Sequence, residues 1–227
     1  MLNFVAARAA MVESQVRPNG ITDRRIIDAM GEIAREDFVP GAQKPLAYMD
    51  ADVALLPGRT KRHLIAAMAF ARLAQLAEIK STDKVLHVGA ATGYGTAVLA
   101  RLAAFVVAVE SDAILAAAAR ANLGHLGNVS IVEGALADGA ASMAPFDVIF
   151  IEGRIGEMPQ SLGAQLGEDG RIVAAAGDSV GRAHLWIRHG TTLACRKAFD
   201  TSIATLPGFE KNKASFVFEG FNDSGVR

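Results

Sequence analysis

The sequence predicts one α/β domain: a mostly parallel sheet between helices, with an antiparallel last strand and an N-terminal helical addition. Three observations predict it. Val85–Gly95 reads VLHVGAATGYG, an apolar run that stops at a glycine-rich turn and continues into a helix at Thr96–Arg101. Beyond it, β-rich apolar runs alternate with helical stretches, the pattern of parallel strands joined by crossover helices. The 227 residues, 51% of them hydrophobic, suffice for one sizeable core and fall short of two full domains.

Residues 1–40 read as helical, with Phe4, Ala7, Ala10, Met11 and Val12 at helical spacing before an Arg17-Pro18-Asn19-Gly20 turn. Thr22 is placed to cap a second helix whose buried stripe is Ile26, Ile27, Met30 and Ile33. Both helices precede the first parallel strand and are expected to cross its mouth as a partial lid. Tyr48, Asp50 to Asp52 and Leu55-Leu56-Pro57-Gly58 read as loop and short strand. His63–Ile79 is expected to be an amphipathic helix carrying Leu64, Met68, Leu73 and Leu76.

The strand Lys84–Val88 follows, built of Val and Leu that suit a pleated surface covered on both faces. Ala104–Val109 is a second strand, Ala113–Leu123 an Ala-rich helix and Val129–Val132 a third strand. Phe146–Ile151 is a fourth, Pro159–Leu166 a short helix ended by Gly167-Glu168-Asp169-Gly170, and Arg171–Ala176 a fifth. The late runs Ala183–Ile187, Leu193–Phe199 and Ser215–Phe218 have no helices between them, which implies an antiparallel edge. The expected division is a helical segment and lid at 1–60, the main domain at 61–221 and a frayed tail at 222–227, all one structural domain.

Composition narrows the function classes. A formal charge of −1 gives no overall pull toward nucleic acid or an anionic membrane, and no basic and aromatic residues interleave as nucleic-acid surfaces require. The single Cys195 rules out an intramolecular disulfide. No stretch approaches the roughly 20 apolar residues of a spanning helix, and Arg8 and Glu13 break any leader-like apolar run, so a cytoplasmic protein is expected. No His, Cys or Asp cluster has metal-ligand spacing, so no metal is expected, and no G-x-S-x-G elbow is present. Nothing in the sequence speaks to oligomeric state.

The chemistry concentrates at the glycine turn. Gly89 and Gly93 let the backbone bend tightly beside a ligand, and a helix starting there aims free N–H groups at it. Glu110 ends the second strand about 20 residues past Gly89, where doubly wound folds grip a ribose through its hydroxyls. The dinucleotide fingerprint G-x-G-x-x-G fails, because its second and third glycine positions hold Ala91 and Tyr94. That argues against NAD and suits S-adenosylmethionine, which has no pyrophosphate to cradle. His87, inside a buried strand, reads as a hydrogen-bonded core histidine. His63 beside Arg59, Lys61 and Arg62 forms either a cationic lip that attracts a carboxylate or a solvated basic loop.

Several stretches together resemble the protein-L-isoaspartate (D-aspartate) O-methyltransferases: MVESQVRPNGITDRRIIDAM at Met11–Met30, REDFVP at Arg35–Pro40, AYMD at Ala47–Asp50, the glycine turn, APFDVIFIEG at Ala144–Gly153 and QLGEDGRIV at Gln165–Val173. The likeness runs in order over about residues 8 to 177. It implies a Rossmann-like S-adenosylmethionine-dependent methyltransferase fold with a reversed last strand. It also implies methyl transfer to the carboxylate of isoaspartyl residues in damaged proteins or peptides. By position, Gly89, Ala91, Gly93 and Tyr94 would line the methionine and ribose portion of S-adenosylmethionine. Glu110 would hold the ribose hydroxyls, and Gly134 and Ala135 would flank the adenine. No residue receives a catalytic role.

The chain departs from the family pattern at defined places. Where the family has a Thr-Ile-Ser-Gln-Pro run whose hydroxyls help to form the isoaspartyl site, this chain reads His63-Leu64-Ile65-Ala66-Ala67, with Ile65 at the Ser position. The family's Glu of the glycine-turn strand is His87, its second glycine is Ala91, its Asp after the fourth strand is Ala135, and its Thr-Ala-Ala after the APFD strand is Glu152-Gly153-Arg154. Glu133, Asp138 or Glu152 could supply substitute adenine or amino-group contacts. Two alternatives stand beside the repair enzyme: a methyltransferase with another substrate, and a catalytically silent relative that binds or regulates.

Overall fold

The chain threads its glycine turn into the middle of a seven-stranded sheet, in a computed structural model that describes residues 3–56, 58, 62–177 and 181–210. The expectations for Arg59, Lys61, Ser215–Phe218 and the tail 222–227 lie outside the described residues.

Helix α1 (Phe4–Met11) starts where Asn3 Oδ1 accepts the Ala6 N–H at 3.0 Å, and it runs through a wider turn at Val12–Val16 and a tight one at Arg17–Asn19. Helix α2 (Arg24–Glu32) is capped by Asp23, not Thr22: the Asp23 carboxylate accepts the Arg25 N–H at 2.9 Å. Thr22 is instead held by Gln75, whose Oε1 accepts the Thr22 N–H at 2.7 Å.

Strand β1 (Val53–Ala54) pairs antiparallel with β2 (His63–Leu64), so the helix expected from His63 begins later, as α3 (Ala67–Ala77). Two long-range bonds hold the intervening backbone extended: Asp52 Oδ1 accepts the Ala66 N–H at 2.8 Å, and Arg35 Nη2 donates to Ile65 O at 2.6 Å. Helical periodicity loses to these partners, since a strand at 63–64 buries Leu64 equally well.

From there the order is β3 (Lys84–Val88), α4 (Tyr94–Leu102), β4 (Phe105–Glu110), α5 (Ala113–Leu123), β5 (Val129–Glu133), β6 (Phe146–Ile155), α6 (Gln160–Ala164), β7 (Leu166–Ala176), β8 (Gly181–His189) and β9 (Thr192–Thr201). The sheet runs β5-β4-β3-β6-β7-β8-β9; its first five strands are parallel, and β8 and β9 are antiparallel. Gly167–Gly170, expected to end a helix, lies inside β7 and shifts its register against β6. Strand β6 runs beyond Ile151 because Arg154 and Ile155 pair with Ala175 and Ala176.

The pleat sorts the core onto two faces. Val85, Val148, Phe150 and Val173 share one cluster with Met11, Met30, Phe70 and Leu99, while Leu86, Val88, Ile149 and Ile151 face Trp186, Leu206 and Phe209. The N-terminal helices pack on the helices of the first face, α2 against both α3 and α4. The stretch after α2 reaches the glycine turn, where Thr92 Oγ1 donates to Phe38 O at 2.5 Å.

Candidate functional site

The turn after β3 is bent by Gly89 (φ +86°) and Gly93 (φ +99°), with Ala91 between them at φ +53°. Its amides are tied down: Gly89 and Ala90 N–H donate to Val109 O at 3.0 and 3.1 Å, and Gly93 N–H to Ala90 O at 2.9 Å. Gly93 also permits close packing, since a Cβ there would lie 2.7 Å from Leu123 Cδ1. Helix α4 then projects from the turn with Tyr94 as its first residue.

Glu110, at the tip of β4, is fully buried. Its Oε2 accepts the Ala91 N–H at 2.7 Å and the Arg62 Nη2 at 2.6 Å, and its Oε1 accepts the Ser111 and Asp112 N–H groups at 2.9 and 3.0 Å. Four donors thus occupy both oxygens. Gly134 N–H donates to the Glu110 carbonyl at 3.0 Å, and Ala135 beyond it is exposed.

A buried polar layer lies beneath the turn. His87 is wholly buried, its Nδ1 2.8 Å from Thr96 Oγ1 and its Nε2 3.0 Å from Glu152 Oε2. Tyr94 is equally buried, its ring meeting Phe38 and Phe70 edge-on, with the Arg35 guanidinium 4.9 Å from its centroid. Burial pushes the Tyr94 hydroxyl above its usual pKa, and Arg35 partly offsets the shift. The Tyr94 ring therefore packs in the core beneath the turn. The substitute acids do not converge on the turn either: Glu152 turns inward to His87, Glu133 pairs with Arg120 at 3.1 Å and Asp138 is exposed.

Above the turn the chain covers its own cleft. Leu206 lies against both Gly89 and Gly153: a Cβ at those positions would fall 3.1 and 2.3 Å from its side chain. What remains between Arg62, Ile65, Glu152, Ile203, Thr205 and Leu206 is a cavity of about 10 Å³, room for at most one water, where ligand pockets run to roughly 300–1,000 Å³. Among the described residues, Leu206 and the donors to Glu110 occupy the space beside the turn. The Glu110 carboxylate is saturated, and the space over Gly89 is filled by Leu206.

Sequence reasoning located the turn and Glu110 but missed Arg62 as the partner of Glu110 and Ile203–Leu206 as the cover. Arg62, expected on a solvent-facing lip, points inward and is 4% exposed. The apolar spacing Ile203, Leu206, Phe209 was the available signal for the cover. Among the described residues one His and acid cluster exists, Glu168, Asp169 and His189, exposed and drawn from two strands.

A sequence profile described as protein-L-isoaspartate(D-aspartate) O-methyltransferase matches residues 7–192. The chain is 41% identical over 179 residues to the protein-L-isoaspartate O-methyltransferase of Koribacter versatilis, covering 78% of this chain and 79% of that one. It is 34% identical over 212 residues to the Roseiflexus castenholzii protein of the same name, covering 91% and 94%. Among solved structures it resembles a protein-L-isoaspartate O-methyltransferase with TM-score 0.79 and 25% identity, over 88% of this chain and 66% of that one. A Plasmodium falciparum structure titled as a complex with S-adenosyl-L-homocysteine shares the fold, with TM-score 0.74 and 17% identity over 93% and 100%.

Proposed function

The chain belongs to the protein-L-isoaspartate(D-aspartate) O-methyltransferase family, S-adenosylmethionine-dependent methyltransferases of protein repair, and we propose that it keeps this chemistry on isoaspartyl carboxylates of damaged proteins. The observation that carries the reading is the profile match over residues 7–192, which spans the glycine turn, Glu110 and the flank at Gly134 and Ala135. A carboxylate is already nucleophilic at neutral pH, so the protein must position it and exclude water, with no need for a strong base. Ile65 offers no hydroxyl for that task, and its carbonyl is held by Arg35. We therefore assign reception of the carboxylate to the basic run that ends at His63, whose Arg59 and Lys61 supply charge-assisted donors. A cytoplasmic location belongs to the same reading, supported by Cys195, a free and exposed thiol.

One observation favours a second reading, a methyltransferase fold retained for binding or regulation: Glu110 is already saturated. An isoaspartyl-peptide assay with methyl-labelled S-adenosylmethionine, run against Glu110→Ala, separates the two. Incorporation that is lost in the variant supports repair. Cofactor binding without incorporation indicates another substrate, and neither indicates a silent relative.

A further inference from the structure

Residues 203–209 follow β9, the outer edge of the sheet, yet they return to its centre. They lie beside the part of β6 that outruns β3: Val88 pairs with Ile151, and past that point β3 has become the glycine turn. There Arg154 N–H donates to Ala204 O at 3.0 Å and Leu206 N–H to Arg154 O at 2.9 Å, which makes Arg154 and Thr205 an isolated parallel bridge. Arg154 Nε adds a bond to Thr205 Oγ1 at 3.0 Å, and Gly156 N–H donates to Phe209 O at 2.9 Å. The returning segment is thus bridged to β6 and laid over Gly89, with Ile203, Leu206 and Phe209 each 4% exposed.

Its seat is fitted to it. Gly153 has no side chain where any Cβ would strike Leu206 at 2.3 Å, and a Cβ at Gly89 would press on it at 3.1 Å. From the other side Arg62 closes on Glu110. These contacts fall on Gly153 and Arg154, two of the positions where the chain departs from the family motif, and Ile65, a third, lines the residual cavity.

We propose that Ile203–Leu206 and Arg62 are an intramolecular competitor for the cofactor site, so that a nucleoside ligand binds only when this segment lifts and Arg62 releases Glu110. The proposal rests on the family reading of the glycine turn. Apparent affinity is then the intrinsic affinity reduced by the fraction of molecules that are open.

The test titrates full-length protein calorimetrically with S-adenosylhomocysteine, comparing the unaltered chain with Leu206→Glu, which places a charge between Gly89 and Gly153, and with Arg62→Gln. Circular dichroism checks each fold, and Leu206→Ala replaces Leu206→Glu if the latter unfolds. Amide exchange at Leu206 and Phe209 reports whether the segment is seated. The expected result is binding tighter by tenfold or more in the Leu206 and Arg62 variants, with ligand lowering amide protection at 204–209 in the unaltered chain. Equal affinity in all proteins, with protection unchanged by ligand, overturns the competitor and leaves the methyltransferase reading intact. No binding at millimolar ligand, even where exchange shows the segment released, overturns both.

Discussion

Gly95, the second residue of α4, is where helix propensity and packing make opposite predictions. Replacing a helical glycine by alanine ordinarily stabilises by about 1 kcal/mol. Here the new Cβ would stand 1.9 Å from Glu152 Oε2, 3.0 Å from its Cδ and 2.8 Å from Phe70 Cε2. Glu152 must swing away, leaving His87 Nε2 buried without its carboxylate. Overpacking costs about 1–3 kcal/mol, and a polar group left buried without a neighbour costs about 1–3 kcal/mol. The clash wins, and Gly95→Ala should destabilise by about 1–5 kcal/mol. Urea unfolding followed by circular dichroism measures this, with an unchanged m-value showing that the denatured state is unaltered. In a Glu152→Ala background most of the clash is gone and the pair is already broken. The double variant should then lie within about 1 kcal/mol of Glu152→Ala alone, a coupling well outside the roughly 0.5 kcal/mol error of additivity. A Gly95→Ala protein as stable as the parent, or effects that simply add, would falsify this account of the buried layer.

Three further outcomes follow from single contacts. Glu78 ends α3 in the left-handed region at φ +49° and is exposed, so Glu78→Gly should raise stability by about 0.5–1 kcal/mol in a thermal melt. Arg171 donates to Ala77 O and Glu78 O and pairs with Asp83 at 2.6 Å, fastening the end of α3 to β7; Arg171→Met should cost about 2–4 kcal/mol by denaturant titration. Burial pushes the Tyr48 hydroxyl from 10.0 up to about 12, so the native chain keeps a proton that the unfolded chain gives up. That stabilisation is complete below about pH 10 and is lost as pH rises through about 12. Tyr48→Phe should flatten the alkaline fall in stability without abolishing it, because Tyr94 is shifted in the same direction.

Local patterns made the centre of the fold legible. The strand, glycine turn, helix and second strand each carry their own signal, and helix α5 has the expected bounds, Ala113–Leu123, because Asp112 caps it through bonds to Ile114 and Leu115 N–H. Where two periods agree, the sequence is mute: Leu64 is buried by a helix or by a strand, and only Asp52 and Arg35 decide between them. Glu110 was readable from its position at a strand tip. Its partner Arg62 was not, since charge beside other charges reads as solvated, and the ion pair forms across 48 residues of sequence. The spacing of Ile203, Leu206 and Phe209 marks an apolar face, but it does not say that a segment after an edge strand returns to the middle of the sheet.

The departures at His87 and Glu152 belong together. Both side chains are buried, and His87 Nε2 lies 3.0 Å from Glu152 Oε2, so each offers the other a polar neighbour where water is excluded. Either change alone would leave an unpaired buried group worth several kcal/mol, a large share of a typical domain's roughly 5–15 kcal/mol. Glu152 also lines the small cavity under Leu206, next to Gly153 and Arg154, which receive the returning segment. The polar layer beneath the turn and the cover above it are therefore one arrangement. Restoring the family's Thr at position 152 alone would unpair His87 before it opened anything above Gly89.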